Sequence, residues 1–306
     1  MPDYRSGLPR VVVIGPVGRD LLLRIGGLPE GGGSAPVEQR TEVLGGKGAN
    51  QAVACRQLGV SAALVGVVGD DESGSSVIAQ AETDGIDVIG VLRRSNAATA
   101  LMIDILEPGG THRLLEHFDP ATDLTETDVR AHAHAIREAD AVLVPLKQSE
   151  EAILAALELA PTSALVVADG APATERVREA VLRRADVLRA DAGEARDYLG
   201  DSTDLSTLIG AARRLLTDGP HMIAFGIEGG DAAVWTNGEL TLPHASPAVD
   251  PTGAGDSFVA ALTVGLLSGA GEETALRWAS LAAGDTATRP GARPDLHVER
   301  LRNGAG

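Results

Sequence analysis

From Thr125 onward, short apolar runs alternate with helix-like stretches, and this alternation limits the fold more than any other feature of the chain. Helical patterns over 126–138, 150–159, 174–183 and 205–216 are each followed by an apolar run, at 141–146, 164–168, 187–189 and 221–226. The runs are continuous rather than alternating, as is Val11-Val12-Val13-Ile14 near the start, so both faces of each strand must be covered. Strands joined by helices predict a mainly parallel sheet between two helical layers. A hairpin over 232–235 and 239–242, turning at Asn237-Gly238, and long helices from Gly253 and from Glu272 to about Ala287 complete the pattern. Hydrophobic residues make up 44% of the 306 but aromatics only 2%, so aliphatic side chains and alanine must fill the core.

The first 120 residues are less regular. Strand-rich inserts at about 16–44 and 97–118 predict a small separate β layer. That layer would sit as a lid over the C-terminal edge of the main sheet, within one domain spanning 1–306.

A formal net charge of −17 argues against a nucleic-acid backbone or an anionic membrane as partner. The longest apolar runs fall short of the ~18 residues a membrane span needs. The first ten residues hold no apolar segment of the kind a signal peptide carries, and the lone cysteine, Cys55, suits a reducing compartment. A cytoplasmic protein is expected, with Cys55 in the core.

Asp250-Pro251-Thr252-Gly253-Ala254-Gly255-Asp256-Ser257-Phe258 precedes an apolar helical run. The first turn of a helix leaves N–H groups without partners, and with the helix dipole these attract an anion. Small residues let a phosphate approach the backbone. An acid inside such a turn is costly unless it accepts a proton while the amides neutralise developing charge. Asp256 has that position, with Gly253, Ala254 and Gly255 as the anion hole.

A second helix start, Gly45-Gly46-Lys47-Gly48-Ala49-Asn50-Gln51-Ala52, combines small residues, a cation and two amides. It is not a Walker A loop, because Gly48 stands where Ser or Thr would follow the lysine. Paired with the 250–258 motif about 200 residues later, it resembles the signatures of the ribokinase family of carbohydrate kinases, the PfkB group. The resemblance covers nearly the whole chain. It implies a Rossmann-like three-layer α/β fold with a β lid (ribokinase-like), and transfer of the γ-phosphoryl of ATP to a sugar hydroxyl with Mg²⁺.

By the same resemblance, Asp256 is the catalytic base, and Asp20, Gly46, Lys47 and Asn50 contact the sugar. Asp191 and Glu194 stand in the family's Asn-x-x-Glu and, with Thr252 and the turn from Gly226 to Gly229, serve the nucleotide. Asp250, Thr252, Arg289 and Gly291 would turn backbone oxygens toward a monovalent cation such as K⁺. Gly18, Lys147, Asp191 and Ala224 depart from the family pattern, Lys147 most sharply, since an acid usually stands there. A pentose is the expected acceptor. A nucleoside or another sugar is the alternative, and a catalytically weakened sugar or nucleotide sensor a further one. His112 and His117 are expected to be exposed on the lid, whose free edges invite pairing into a homodimer.

Overall fold

The computed structural model describes residues 7–109, 111–217, 219–244 and 248–304. The early part of the chain lays down β1 (Arg10–Ile14), β2 (Gly18–Ile25), β3 (Val37–Gly45) and α1 (Lys47–Gln57). Next come β4 (Ser61–Gly69), α2 (Glu72–Thr83), β5 (Asp87–Arg94), β6 (Ala100–Leu106) and β7 (His112–His117). The regular part begins with α3 (Glu126–Ala131), α4 (Ala133–Arg137), β8 (Ala141–Pro145), α5 (Glu150–Leu159) and β9 (Leu165–Asp169). It continues through α6 (Glu175–Arg184), β10 (Val187–Ala190), α7 (Arg196–Leu199), α8 (Leu205–Leu215) and β11 (Met222–Ile227). The hairpin β12 (Gly230–Trp235) and β13 (Gly238–Pro243) leads to α9 (Ala254–Leu267), α10 (Glu272–Ala287) and α11 (Val298–Gly304).

Nine strands form one sheet in the order β13-β12-β11-β10-β9-β8-β1-β4-β5, antiparallel only at the β11–β12–β13 edge. Side-chain alternation along β1 explains the unbroken apolar runs. Val11 and Val13 join the core under α1, α9 and α10, while Val12 and Ile14 join the core on the opposite face. The sheet is therefore buried on both sides, as its composition requires. Cys55 lies wholly in the first of these cores, where burial pushes its thiol up to about 12.

The second sheet has the order β3-β2-β6-β7 and is built from 18–45 and 100–117, close to the inserts expected to form a lid. Its registers put Asp20 opposite both Val43 and Met102, and Asp104 opposite both Leu22 and Leu114. These residues therefore share one face, with Glu116 beside Met102 and His112 beside Leu106.

Two expectations need correction. The helix expected over 126–138 is two short ones, because the backbone bends at His132, whose amide bonds back only three residues to Val129. The terminal helix α11 was not foreseen; it is seven residues long and docks through buried Leu301.

Candidate active site

The sheet reverses its strand order around β1, whose neighbours are β4 on one side and β8 on the other. Ligand sites of open α/β sheets form beyond the carboxyl ends of the strands at such a point. Here the ends of β1, β8, β9 and β10 deliver Pro16, Lys147, Asp169 and Asp191, and the lid covers them. Helices α1 and α9 bring their N-termini to the same place.

Two glycines make this possible. Gly46 has φ +90°, and a Cβ there would lie 2.7 Å from the Pro16 carbonyl oxygen. Gly253 has φ +74°, and a Cβ there would lie 2.0 Å from the Ala292 carbonyl oxygen. Both helix starts are thus pressed against neighbouring backbone in conformations that disfavour any other residue.

A cavity of about 490 Å³ lies between lid and sheet. It gathers Asp20, Gly46, Lys47, Asn50, Asp191, Thr252, Gly253, Asp256 and Gly291. The lid contributes an apolar wall of Leu22, Val43, Met102 and Leu114. A second cavity of about 370 Å³ lies on the other side of Asp256 and is bordered by Lys47, Arg189, Asp191, Gly226 and the turn 253–255. Lys47, Asp191, Gly253 and Asp256 border both.

Asp256 is buried between them. Its carboxylate accepts from Asn50 Nδ2 at 3.3 Å and from Gln51 Nε2 at 3.2 Å. Burial pushes its carboxyl up to about 6, with the Lys47 ammonium pulling the other way and the Asp169 charge adding to the rise. Asp20 is pushed up to about 7 by burial and by the charge on Asp256, against the pull of the Gly46 amide. A carboxylate that titrates near neutrality, at the floor of a cavity, suits proton transfer.

At the opening of α9, the Ala254 amide bonds to the Pro251 carbonyl at 3.2 Å, so it closes a turn. Among the described residues the Gly253, Gly255 and Asp256 amides have no backbone acceptor, which leaves them open to an anion.

Sequence reasoning missed the buried charge centre behind these amides. Asp169, fully buried, accepts from Lys47 Nζ at 2.7 Å, Gln51 Nε2 at 2.8 Å and Arg189 Nη1 at 3.3 Å. Burial works against its charge, but Lys47 and Arg189 outweigh that and hold it below the ordinary carboxylate range. Two cations share this one acid, and both border the second cavity beside the turn. Lys47, grouped with the sugar contacts from sequence, is anchored here and reaches toward both cavities. The available signals were an acid ending an apolar run, just before Gly170, and the second amide of the 45–52 motif.

Other expected residues fall around the cavities. Glu194 lines neither but braces Asp191, accepting from its amide at 2.8 Å. Gly229 lies in the β11–β12 turn, with φ +73°. The Arg289 side chain turns away to Asp285 and Asp295. Asp250 ties two loops together, accepting from the Thr252 amide at 2.9 Å and the Gly291 amide at 2.7 Å. Lys147 pairs with Glu116 of the lid at 2.6 Å and stands 5.0 Å from the Phe118 ring. His112, expected to be exposed, is instead partly buried against Asp104 and Thr252, because its β7 register turns it inward; His117 is exposed.

The profile of the pfkB family carbohydrate kinases matches residues 8–299. The chain belongs to that family. As a pfkB carbohydrate kinase, it is a phosphotransferase with an alcohol acceptor. Among characterised relatives, it is 29% identical to the ribokinase of Schizosaccharomyces pombe over 94% of both chains. It is 30% identical to the ATP-dependent ribose-1-phosphate kinase of Halopiger xanaduensis, over 93% of this chain and 94% of the other. The fold matches Thermotoga maritima ribokinase with a TM-score of 0.81 and 25% identity, over 97% and 98% of the chains. It matches Arabidopsis thaliana ribokinase, solved with ribose and ATP, with a TM-score of 0.80 and 21% identity, over 97% and 99%. Among the described residues, no helix is long and apolar enough to cross a membrane.

Proposed function

We propose that this pfkB kinase transfers the γ-phosphoryl of ATP to a hydroxyl of a pentose such as ribose, with Asp256 as general base. The observation that carries the reading is Asp256 itself, buried where the two cavities meet and beside the amides that open α9. A sugar in the cavity under the lid would offer hydroxyls to Asp20 and Asn50 and an apolar face to Leu22, Val43, Met102 and Leu114. The triphosphate would enter the second cavity, toward Lys47, Arg189 and the Gly255 and Asp256 amides. Asp256 takes the hydroxyl proton as the oxygen attacks, a contribution of about 10²–10⁴-fold in sites of this type. The amides and Lys47 hold the charge that develops on the transferred group.

Two ions suit the residues present. Magnesium prefers oxygen donors and keeps several waters. Glu194 Oε1 and Asp191 Oδ2 take no hydrogen bond from the described residues, so they could hold those waters. Bound there, the ion would neutralise phosphate charge. The carbonyls of Asp250, Thr252, Arg289 and Gly291 accept no backbone hydrogen bond among the described residues, which fits a monovalent cation such as K⁺. Pairing of two copies through the lid is supported by exposed Val37 and Leu115 on its two edge strands.

ADP release over a panel of pentoses, hexoses, ribose 1-phosphate and nucleosides tests the reading. Release dependent on a pentose is expected. Binding of sugar or nucleotide without release on any acceptor would sink it, in favour of a sensor. A preference for ribose 1-phosphate would instead give a phosphate-binding role to Lys147 and Arg293, the other cations at the cavity wall.

A further inference from the structure

The inner face of the lid carries a polar cluster that proton transfer does not use. Asp104 of β6 is 5% exposed, and among the described residues no donor makes a well-aligned hydrogen bond to either of its carboxylate oxygens. A buried acid in that state is costly unless something compensates it. Beside it stands His112 of β7, whose Nε2 lies 2.7 Å from Asp104 Oδ1, 3.2 Å from Thr252 Oγ1 and 3.8 Å from Asp250 Oδ1. One imidazole thus faces two carboxylates.

The spacing of these donors has a second meaning. A cation bound at about 2.0–2.2 Å holds adjacent donors roughly 3.0 Å apart in an octahedron and about 3.4 Å apart in a tetrahedron. One donor atom from each of Asp104, His112 and Asp250 lies within 4.8 Å of the others, with the closest pair nearer than either ideal and the His112–Asp250 pair slightly wider. Small side-chain adjustments bring all three to one centre. Asp250 is already aimed by the Thr252 and Gly291 amides, as outer partners aim a metal ligand. A mixed imidazole and carboxylate set selects zinc, manganese or cobalt over magnesium or potassium, which favour oxygen alone.

We propose that Asp104, His112 and Asp250 bind a divalent transition-metal ion that fastens the lid to the loop carrying the anion hole. Two ligands come from lid strands and the third lies three residues before Gly253. The ion would therefore hold the cavity closed from the lid side. It is separate from magnesium carried with the nucleotide and from a monovalent cation held by backbone carbonyls.

The test uses the full chain, freed of metal with a chelator and kept in excess Mg²⁺ and K⁺, without sugar or nucleotide. CoCl₂ is titrated and followed by its visible d–d absorption, and ZnCl₂ by thermal shift and by protease cleavage of the lid. One equivalent is expected to bind, raise the melting temperature and protect the lid. His112→Ala and Asp104→Asn should each weaken binding by about 100-fold or more, beyond the 10–100-fold that loss of an outer partner costs. His244→Ala, beside Asp231 on the second cavity, should bind as wild type does. Melting of the metal-free variants separates lost binding from lost folding. Absence of one-equivalent binding, or equal binding by wild type and His112→Ala, would leave the cluster as a plain contact between lid and core. Because the readouts are binding and melting, either outcome leaves the sugar-kinase reading to its own assay.

Discussion

Replacing Asp256 by Asn should remove activity while leaving the protein, at pH 8, as stable as before or more so. Its carboxyl titrates at about 6 in the fold, against about 3.9 in an unfolded chain. The folded pKa is raised, so the group favours folding fully below about pH 4, and that advantage is lost as pH climbs through 6. At pH 8 the ionised side chain costs the fold about 3 kcal/mol, and at pH 5 about half of that. Asparagine has no charge to bury. Its amide end, however, would face Asn50 Nδ2 or Gln51 Nε2 and leave a donor unmatched, at about 1–3 kcal/mol. The variant should therefore gain on wild type by about 1 kcal/mol between pH 5 and pH 8, whatever the constant offset. Urea unfolding at the two pH values measures that gain. Coupled ADP release should show turnover down at least about 100-fold. An offset that does not change with pH would refute the burial argument, and near-normal turnover would refute the base.

Gly253→Ala places a methyl 2.0 Å from the Ala292 oxygen at φ +74°. It should cost about 1–3 kcal/mol of stability and about 10²–10³-fold in turnover as the amides shift; a normal rate would detach the turn from the chemistry. Asp20→Asn should raise the apparent KM for the acceptor more than it lowers turnover. It should leave the acidic limb of kcat/KM, expected near pH 6, in place, because Asp20 titrates at about 7 and is already uncharged there; a limb moved to lower pH would show an ionised Asp20 acting on Asp256. Asp169→Leu strands Lys47 and Arg189 without their shared acid and should destabilise by about 3–5 kcal/mol in urea unfolding. A loss below about 1 kcal/mol would show that both cations escape to solvent.

What could be seen in the chain beforehand follows the range of the interactions involved. The strand Val11–Ile14, the start of α9 and the Gly-Lys-Gly opening of α1 are local patterns, readable from composition and spacing alone. Asp169 was hidden because its meaning comes from Lys47 and Gln51, well over a hundred residues away and on another element. His112 was misplaced for a related reason. Which face of a lid strand looks inward depends on register with β6, and a one-residue slip would turn it to solvent. Lys147 stood out as an odd residue in its position, but its partner Glu116 belongs to a strand whose pairing no local pattern announces. His132 interrupted a helix that periodicity alone would have continued.

The amide donors that steady Asp256, Asn50 and Gln51, both belong to α1, and the residue itself rides on α9. Neither helix is part of the four-stranded roof. The base is thus mounted apart from the lid strands that bring Asp20 and the apolar wall to the sugar, and those strands could be grafted from a cousin with another diet without retuning the base. A chain arranged in this way can change what it feeds on faster than it changes what it does.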